Sequence, residues 1–207
     1  RKTSTPITTK ITTNLDKDKG LGIFDTLKLE STLPIREIDE AMIQVQNADS
    51  IPISATYEKN GIREVYVNAL FEKGKTYHIN ILPGAIKDIH GGENIDTLSG
   101  KFTKKEEKNY ANLELILESM PETPIVLKLF KDKELHSERI IEIGDTLVKY
   151  DLLNPGSYTV QIILDENQNG KWDTGSYTTK TQPELCIWFR EPIVLRSNWD
   201  STVTLKF

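Results

Sequence analysis

Short segments of alternating apolar and polar residues recur along the whole chain, separated by turns that contain Gly and Pro. Alternation with a period of two residues is typical of β-strands that expose one face to solvent. No segment keeps a 3.6-residue apolar period over three turns. The sequence therefore predicts an all-β fold with very little helix, and we expect a single helical turn at Ile38–Ala41.

The predicted strands fall into two series. The first series is Phe24–Ser31, Met42–Gln46, Ile51–Tyr57, Ile62–Asn68, Thr76–Leu82 and Leu98–Thr103. The second series is Ala111–Glu118, Pro124–Lys131, Arg139–Ile143, Thr146–Asp151, Ser157–Leu164, Leu185–Phe189, Pro192–Arg196 and Ser201–Phe207. Short strands at this spacing, with turn residues in the gaps, are typical of β-sandwiches.

A polar stretch, Lys104–Asn109, separates the two series and contains no apolar residue. It is too short for a flexible tether but is well placed for a domain boundary. The full length of 207 residues suits two domains of about 100 residues, each able to bury its own core. We therefore predict two tandem β-sandwiches, one over residues 1–104 and one over residues 105–207.

Each half places a turn glycine shortly before a tyrosine that opens an alternating strand. Gly74 precedes Tyr77, and Gly156 precedes Tyr158. Sandwiches often use such a tyrosine to fix a corner, with its hydroxyl bonded to upstream backbone. We predict this role for both tyrosines; an exposed tyrosine that stacks on a sugar is the alternative.

The strand ending at Leu164 leads into a loop with an oxygen-bearing side chain at every second position. Asp165, Asn167 and Asn169 occupy positions 1, 3 and 5 of an EF-hand-like pattern, Lys171 could offer its carbonyl, and Asp173 takes position 9. These five residues are the candidate ligands of a Ca²⁺ ion, the only cofactor that the sequence indicates.

The pattern is incomplete, because position 12 is Ser176 rather than a bidentate carboxylate. Any Ca²⁺ site should therefore bind weakly, as extracellular modules often do. The alternative is a turn without metal, in which Asn and Asp side chains bond to nearby backbone N–H groups and Gly170 adopts a positive φ.

Other candidate site residues are scattered along the chain. The histidines His78, His90 and His136 lack the paired spacing of a zinc site, so we expect surface or turn positions. The single cysteine, Cys186, lies in an apolar run and is expected to be a small buried hydrophobic residue. A Ser–His–Asp triad remains open, but no Gly-x-Ser-x-Gly motif is present, and we expect no enzyme.

Three tryptophans lie in the second half: Trp172, Trp188 and Trp199. Strand and loop positions of this kind favour packing in the core, and a carbohydrate-binding platform is the alternative. Solvent exposure of their rings would favour the carbohydrate interpretation.

The charge pattern argues against a nucleic-acid partner, and the hydropathy argues against a transmembrane helix. The net charge is −5, and the excess of acidic residues lies in the second half. No cluster of Lys and Arg with interleaved aromatic residues occurs, so nucleic acid is not an expected partner. No apolar run is long enough to be a transmembrane helix.

Particular motifs resemble known bacterial modules. In the first half, Leu33–Ile35, Gly74–Tyr77, the loop Leu82–Asp88 with Gly91, and Phe102–Thr103 resemble the SbsA-type bacterial Ig-like domain first described in S-layer proteins. In that family a Pro-Gly-Ala-x-x-Asp-x-x-Gly loop follows the tyrosine strand. The resemblance covers roughly residues 5–104 and implies an Ig-like β-sandwich.

The second half is similar to the C-terminal module that accompanies this domain in secreted bacterial lipoproteins. The matching motifs are Leu164–Asp173, Gln182–Glu184 and Asn198–Asp200. That module resembles prealbumin-like (transthyretin-like) or carboxypeptidase-regulatory-like sandwiches. The resemblance implies an exported protein without known enzymatic activity, located at the outer membrane or surface of a Gram-negative bacterium and tethered through an N-terminal lipid ahead of Arg1.

We therefore expect a non-catalytic structural or binding module at the cell envelope, with a protein or a glycan as its partner. The first alternative is a carbohydrate- or peptide-binding module that uses exposed aromatic residues of the second half. A hydrolase is the weaker alternative, since the sequence contains no evident acid–base pair.

Overall fold

A computed structural model describes residues 9–15 and 20–207 of the chain. The fold is all-β, as the sequence predicts. In chain order the strands are β1 Ile11–Thr13, β2 Gly20–Leu21, β3 Leu27–Ser31, β4 Ile35–Ile38, β5 Ile43–Asn47, β6 Ala55–Asn60, β7 Glu64–Ala69, β8 Thr76–Ile81, β9 Ile86–Asp88, β10 Leu98–Lys104, β11 Ala111–Glu118, β12 Ile125–Lys131, β13 Glu134–Ile141, β14 Leu147–Leu153, β15 Gly156–Leu164, β16 Cys186–Leu195 and β17 Trp199–Lys206.

Helical structure in the described residues is confined to two single 3₁₀ turns, Glu40–Met42 and Glu107–Asn109. The first of these begins two residues later than the predicted turn. Asp39 caps it, because its Oδ1 accepts a hydrogen bond of 3.2 Å from the Ala41 N–H.

The chain divides into two compact units, Arg1–Glu106 and Glu107–Phe207. In the first unit, one sheet has the strand order β1-β3-β7-β6 and a second has the order β2-β10-β8-β5. A small two-stranded sheet, β4-β9, completes the unit. The predicted capacity of each half to fold alone stays a prediction.

The core of the first unit follows from alternation. In β8 the odd-numbered residues Tyr77, Ile79 and Ile81 are buried, while their neighbours along the strand are partly exposed. The rings of Phe71, Tyr77 and Phe102 pack together, with centroids 4.9–5.7 Å apart. This aromatic cluster joins the Tyr77 corner to β10, which lies beside β8.

The second unit is a seven-stranded sandwich. One sheet has the order β14-β11-β17, and the other has the order β13-β12-β15-β16. All pairs are antiparallel except β11–β17, which run parallel. The core lies between the two sheets and contains alternate residues of each, such as Leu113 and Leu115 on β11 and Leu127 and Leu129 on β12.

Both tyrosine corners form. The Tyr158 hydroxyl donates a hydrogen bond of 2.7 Å to the carbonyl oxygen of Asn154, four residues upstream. The Tyr77 hydroxyl accepts a hydrogen bond of 2.8 Å from the Glu72 N–H, five residues upstream. The predicted bond from each tyrosine hydroxyl to upstream backbone is confirmed.

Several strand bounds differ from the prediction. β16 is one strand of ten residues, Cys186–Leu195, rather than two, because Pro192 is tolerated on an edge strand next to a register shift. β13 begins at Glu134 rather than Arg139, directly after a turn in which Asp132 and Lys133 both have positive φ. That two-residue turn lacks the glycine that usually identifies it in a sequence.

In the first unit, the segment predicted as a strand from Ile51 divides. Ile53 donates its N–H to the carbonyl of Val45 at 2.8 Å, so Ile51–Ile53 lies along β5, whereas β6 begins only at Ala55. Strands β1, β2, β4 and β9 have no counterpart in the prediction because two to four residues are too few to show alternation.

Candidate functional site

The Asp165–Asp173 loop leaves the end of β15 and closes on the side chain of its first residue. Asp165 is 1% exposed, and its two carboxylate oxygens accept hydrogen bonds from the N–H groups of Asn169 at 3.0 Å and Gly170 at 2.8 Å. Gln168 and Gly170 have positive φ, which lets the chain curl around the carboxylate. Asp165 is therefore the internal anchor of the loop.

Asn167 and Asn169 each form hydrogen bonds within the loop through both the oxygen and the nitrogen of the side-chain amide. Their side-chain oxygens accept hydrogen bonds from backbone N–H groups two residues further on, at 3.1 Å for Asn167 and 2.8 Å for Asn169. Their amide nitrogens both donate to Oδ2 of Asp173. These bonds are those of the metal-free turn that the sequence leaves open as the alternative.

Glu184, which sequence reasoning did not include, completes the site. It is 7% exposed, and its Oε1 and Oε2 accept hydrogen bonds of 3.0 Å from the N–H groups of Glu166 and Asp173. The Trp172 indole N–H donates to the Glu184 carbonyl at 3.0 Å. Glu184 belongs to the Gln-Pro-Glu motif, which is the sequence signal that could have identified it. Glu184 was missed because it lies beyond the twelve-residue window of an EF-hand pattern.

The structure thus brings Asp165, Asn167, Asn169, Lys171 and Asp173 into one closed loop and adds Glu184. A Ca²⁺ ion would need the asparagine oxygens that now accept backbone N–H groups, so binding would require these amides to turn. Within residues 9–15 and 20–207, no group of three or more His, Cys, Asp or Glu side chains is arranged to hold a metal. Calcium binding stays a prediction.

The loop also covers part of the outward face of the β13-β12-β15-β16 sheet. A Cβ atom added to Gly170 would lie 2.8 Å from Cδ1 of Ile140, so the loop backbone rests against β13. Val126 and Ile163 pair in register with each other, lie beside Ile140 and are 0% and 2% exposed, although neither belongs to the core between the sheets. The loop therefore packs against the outward face of this sheet through the contact of Gly170 with Ile140.

The three tryptophans are not core residues, in contrast to the favoured expectation. Trp172, Trp188 and Trp199 are 47%, 49% and 56% exposed. The Trp188 ring packs on Phe130, with centroids 5.2 Å apart, on the outward face of its sheet. Alternation explains the position: Trp188 pairs with Gln161, one residue out of phase with the buried Val160 and Ile162.

Cys186 is partly exposed rather than buried, and its Sγ accepts a hydrogen bond of 2.9 Å from Nε2 of Gln161. It lies in the same outward row as Trp188, which explains the difference from the prediction. His90 and His136 are exposed, in agreement with the surface or turn positions expected for the histidines, whereas His78 is partly buried in β8.

A second buried carboxylate organises a loop in the first unit. Asp88 ends β9 and accepts hydrogen bonds from the N–H groups of His90 at 2.7 Å and Gly92 at 3.0 Å, and from the Thr9 hydroxyl. The hydrogen bond from Thr9, followed by those from the two backbone N–H groups, lowers the pKa of Asp88 against the opposing effect of burial. Gly91 adopts a φ of +85° in the same turn.

A surface groove of about 550 Å³ in the first unit runs between β5 and β6 and is lined by Gln44, Ile53 and Tyr57, among others. Its lining contains one carboxylate, Glu40, so no pair of carboxylates converges there. No helix in the described ranges is long and apolar enough to cross a membrane.

Comparisons with known proteins find only structural similarity at low sequence identity. No family model and no curated protein matches it. Solved structures align at low identity: native alpha-2-macroglobulin from Escherichia coli, spanning domains MG0-NIE-MG1 (9% identity, 87% of this chain and 71% of that chain, TM-score 0.37), and the N-terminal part of the bacterial S-layer protein SbsC (13%, 92% and 44%, TM-score 0.37).

A third alignment is with BcpA, the major pilin subunit of Bacillus cereus, at 9% identity over 96% of this chain and 70% of that chain, with a TM-score of 0.30. TM-scores in this range support no inference about function. The assignment of an all-β sandwich fold rests on the strands and sheets themselves.

Proposed function

We propose that this chain is a non-catalytic extracytoplasmic module with a structural or binding role in a bacterial surface protein. The observation that carries this proposal is the use of the buried charged side chains. Among the described residues these are Asp88, Lys104, Asp165 and Glu184. Each of them forms hydrogen bonds with backbone groups of a turn or loop.

Such bonds suit a scaffold better than a catalyst. A carboxylate that accepts two backbone N–H bonds is held in one position by the chain itself, which leaves it poorly placed to exchange a proton with a substrate. Lys104 likewise donates to the carbonyls of Gly22 at 2.7 Å and Asp25 at 3.0 Å. The buried charges therefore stabilise irregular backbone between strands.

The motif resemblance supports the finer assignment. We propose an SbsA-type Ig-like domain followed by a prealbumin-like module, at the outer membrane or cell surface of a Gram-negative bacterium and anchored through a lipid at the N-terminus of the full-length protein. Asp88 and Gly91 of the first motif close the turn after β9, and Glu184 of the second closes the Asp165 loop. The motif residues thus have structural roles in these two loops.

Protease treatment of intact cells tests the location. The full-length protein is expressed with a C-terminal epitope, and protease is added before and after the envelope is opened. We expect digestion on intact cells, with a cytoplasmic marker protected. An epitope that is digested only after the envelope is opened would contradict a surface location.

A stability comparison tests the structural role. Glu184→Gln should lower the melting temperature because a charge-assisted acceptor of two backbone N–H groups is weakened, at a cost of about 1–3 kcal/mol. Glu166→Gln is the matched control, since the Glu166 side chain is exposed. Equal melting temperatures for the two variants would contradict the scaffold role of Glu184.

A second candidate function is glycan binding, and the half-exposed tryptophans favour it. The Phe130 and Trp188 rings, tilted by 36° to each other, form an aromatic patch on a sheet face, and pyranose rings stack on exposed aromatic rings. Retardation in gels containing soluble polysaccharides would detect binding. Trp188→Ala should abolish retardation, whereas Trp172→Ala, at a separate ring, should preserve it; a wild-type protein that is never retarded would exclude this candidate for the polysaccharides tested.

A further inference from the structure

β17 differs from the other edge strands of the second unit. The four edges are β13 and β16 in one sheet and β14 and β17 in the other. β16 contains Pro192, and β13 and β14 carry charged side chains in their middle parts. Prolines and charges of this kind prevent an edge from pairing with a foreign strand. The middle of β17, Ser201–Leu205, contains neither.

The charges at the two ends of β17 are held towards its partner strand. Asp200 accepts a hydrogen bond of 2.8 Å from the side-chain nitrogen of Asn112 on β11. Lys206 Nζ lies 2.8 Å from a carboxylate oxygen of Glu118 at the other end of β11. Both contacts draw charge away from the free edge. The edge is therefore a row of uncharged, mostly β-branched residues whose outward backbone groups have no strand partner in the part of the chain that the structure describes.

The free edge also borders an incomplete part of the core. A groove of about 420 Å³ separates β17 from β16, the edge strand of the other sheet. Ile193 and Val203 pack against the core from the two sides of this groove but remain partly exposed. At its rim, Val194 is 61% exposed and Trp199 is 56% exposed. Glu191 and Asp200 also line the groove, so the sandwich presents both apolar and acidic surface beside the free edge.

We propose that an extended peptide of another protein pairs with the free edge of β17 and fills this groove. Alternating N–H and C=O groups along eight residues are matched in spacing only by another β-strand. Side chains of the added strand would point alternately into the groove and into solvent, so the peptide should be apolar at every second position and polar between. This inference goes beyond the proposed scaffold role and does not depend on it.

Ser201 is the position that distinguishes this mode of binding. It pairs with the core residue Leu113 in the parallel β11–β17 register, so its side chain points inward, where it lines the groove. Thr204 lies on the same strand but pairs with the exposed Ile116 of β11, so it points outward, and it does not line the groove. A lysine at Ser201 would place a charge in the groove, whereas a lysine at Thr204 would add the same charge outside it.

The probe is a short synthetic peptide in which Thr and Val alternate, with a lysine at each end, and binding is measured by calorimetry. Two derivatives carry N-methyl groups on alternate backbone nitrogens, along one edge of the strand or along the other. We expect the unmodified peptide and one derivative to bind, because only one edge of the peptide faces β17. The other derivative should not bind, since its donors to β17 are blocked.

Variants of the protein provide a second test of the proposal. Ser201→Lys should weaken peptide binding by about tenfold or more, and Thr204→Lys should leave it nearly unchanged, with unchanged thermal unfolding showing that both variants fold. Equal effects of the two lysines, equal binding of both N-methylated peptides, or no binding to wild type would overturn the proposal. A wild-type dimer in sedimentation that Ser201→Lys converts to monomer would also overturn it, because the edge would then be occupied by a second copy.

Discussion

At the residue scale, this protein places polar side chains in its interior where they hold irregular backbone. A buried donor or acceptor without a partner costs about 1–3 kcal/mol, so each such residue is stabilising only while its partner is present. The Tyr158 hydroxyl is satisfied by the Asn154 carbonyl. Tyr150 offers the opposite case: its hydroxyl is buried and has no hydrogen-bond partner among the described residues. Burial raises the pKa of Tyr150, and the nearby Ser137 and Arg139 oppose this rise only in part.

These two tyrosines allow a matched pair of substitutions in one core. Tyr158→Phe should lower the free energy of unfolding of the second unit by roughly 1 kcal/mol or somewhat more, because the Asn154 carbonyl loses its donor. Tyr150→Phe should be neutral or slightly stabilising, since it removes an unsatisfied hydroxyl of similar burial. Chemical denaturation of the two variants and wild type measures the difference. Equal destabilisation by both substitutions would show that the Tyr158 bond has no special role.

Alkaline pH provides an independent test of the same hydroxyl. Burial, aided by the charge of Asp132, raises the pKa of Tyr158 to about 12 from an ordinary value of 10.0. Because the folded pKa is the higher one, the stability contributed by the neutral hydroxyl is complete below pH 10.0 and is lost as pH rises towards about 12. The stability difference between wild type and Tyr158→Phe should therefore shrink over this range; a constant difference would contradict the assignment.

At the element scale, the sequence predicts regular strands well and irregular pairings poorly. Long alternating segments such as β8 and β15 show their buried face directly, so their bounds differ from the prediction by about one residue. Short strands such as β4 and β9 are fixed by tertiary partners and have no local signal. The same contrast holds for the candidate site, where the loop from Asp165 was predictable but Glu184, eleven residues beyond Asp173, was not.

The Asp165–Asp173 loop gives a prediction about Ca²⁺. If the loop binds Ca²⁺ with a dissociation constant on the order of 1 mM, free Ca²⁺ at about 10 mM should stabilise the second unit by roughly 1.4 kcal/mol. For a domain near 100 residues, this corresponds to a rise in melting temperature of about 6–11 °C. Mg²⁺ should give a much smaller rise, because it requires a tighter octahedron and retains its water.

Substitutions distinguish a loop that binds Ca²⁺ from a turn that is held by hydrogen bonds alone. Asp165→Ala should remove the Ca²⁺ response and also lower the stability measured in chelator, because the N–H groups of Asn169 and Gly170 lose their acceptor. Asn167→Ala should weaken the Ca²⁺ response with a smaller effect in chelator, since it removes one exposed side chain. A wild-type melting temperature that is the same in chelator and in Ca²⁺ would mean that the loop is a hydrogen-bonded turn and binds no ion.

At the scale of the whole molecule, residues 9–15 and 20–207 form two separate hydrophobic clusters, one in each unit. The polar segment between them is tied to each unit by backbone bonds at its ends. Lys105 donates its N–H to the carbonyl of Leu21 at 2.8 Å in the first unit. Asn198 donates its N–H to the carbonyl of Tyr110 at 2.7 Å in the second. A cut between Lys105 and Asn109 would therefore leave both sets of bonds intact.

We expect fragments 1–105 and 109–207 each to unfold cooperatively in isolation, because each keeps a complete core and has the length of a self-sufficient sandwich. Far-ultraviolet circular dichroism during thermal and urea unfolding measures this. Cutting instead between β15 and β16, after Asn169, provides the control: it separates hydrogen-bonded strands of one sheet and should abolish cooperative unfolding of the second unit. Loss of the folded signal in both of the first two fragments would contradict the division near residues 104–109, and would mean that the two sandwiches stabilise each other as one continuous fold.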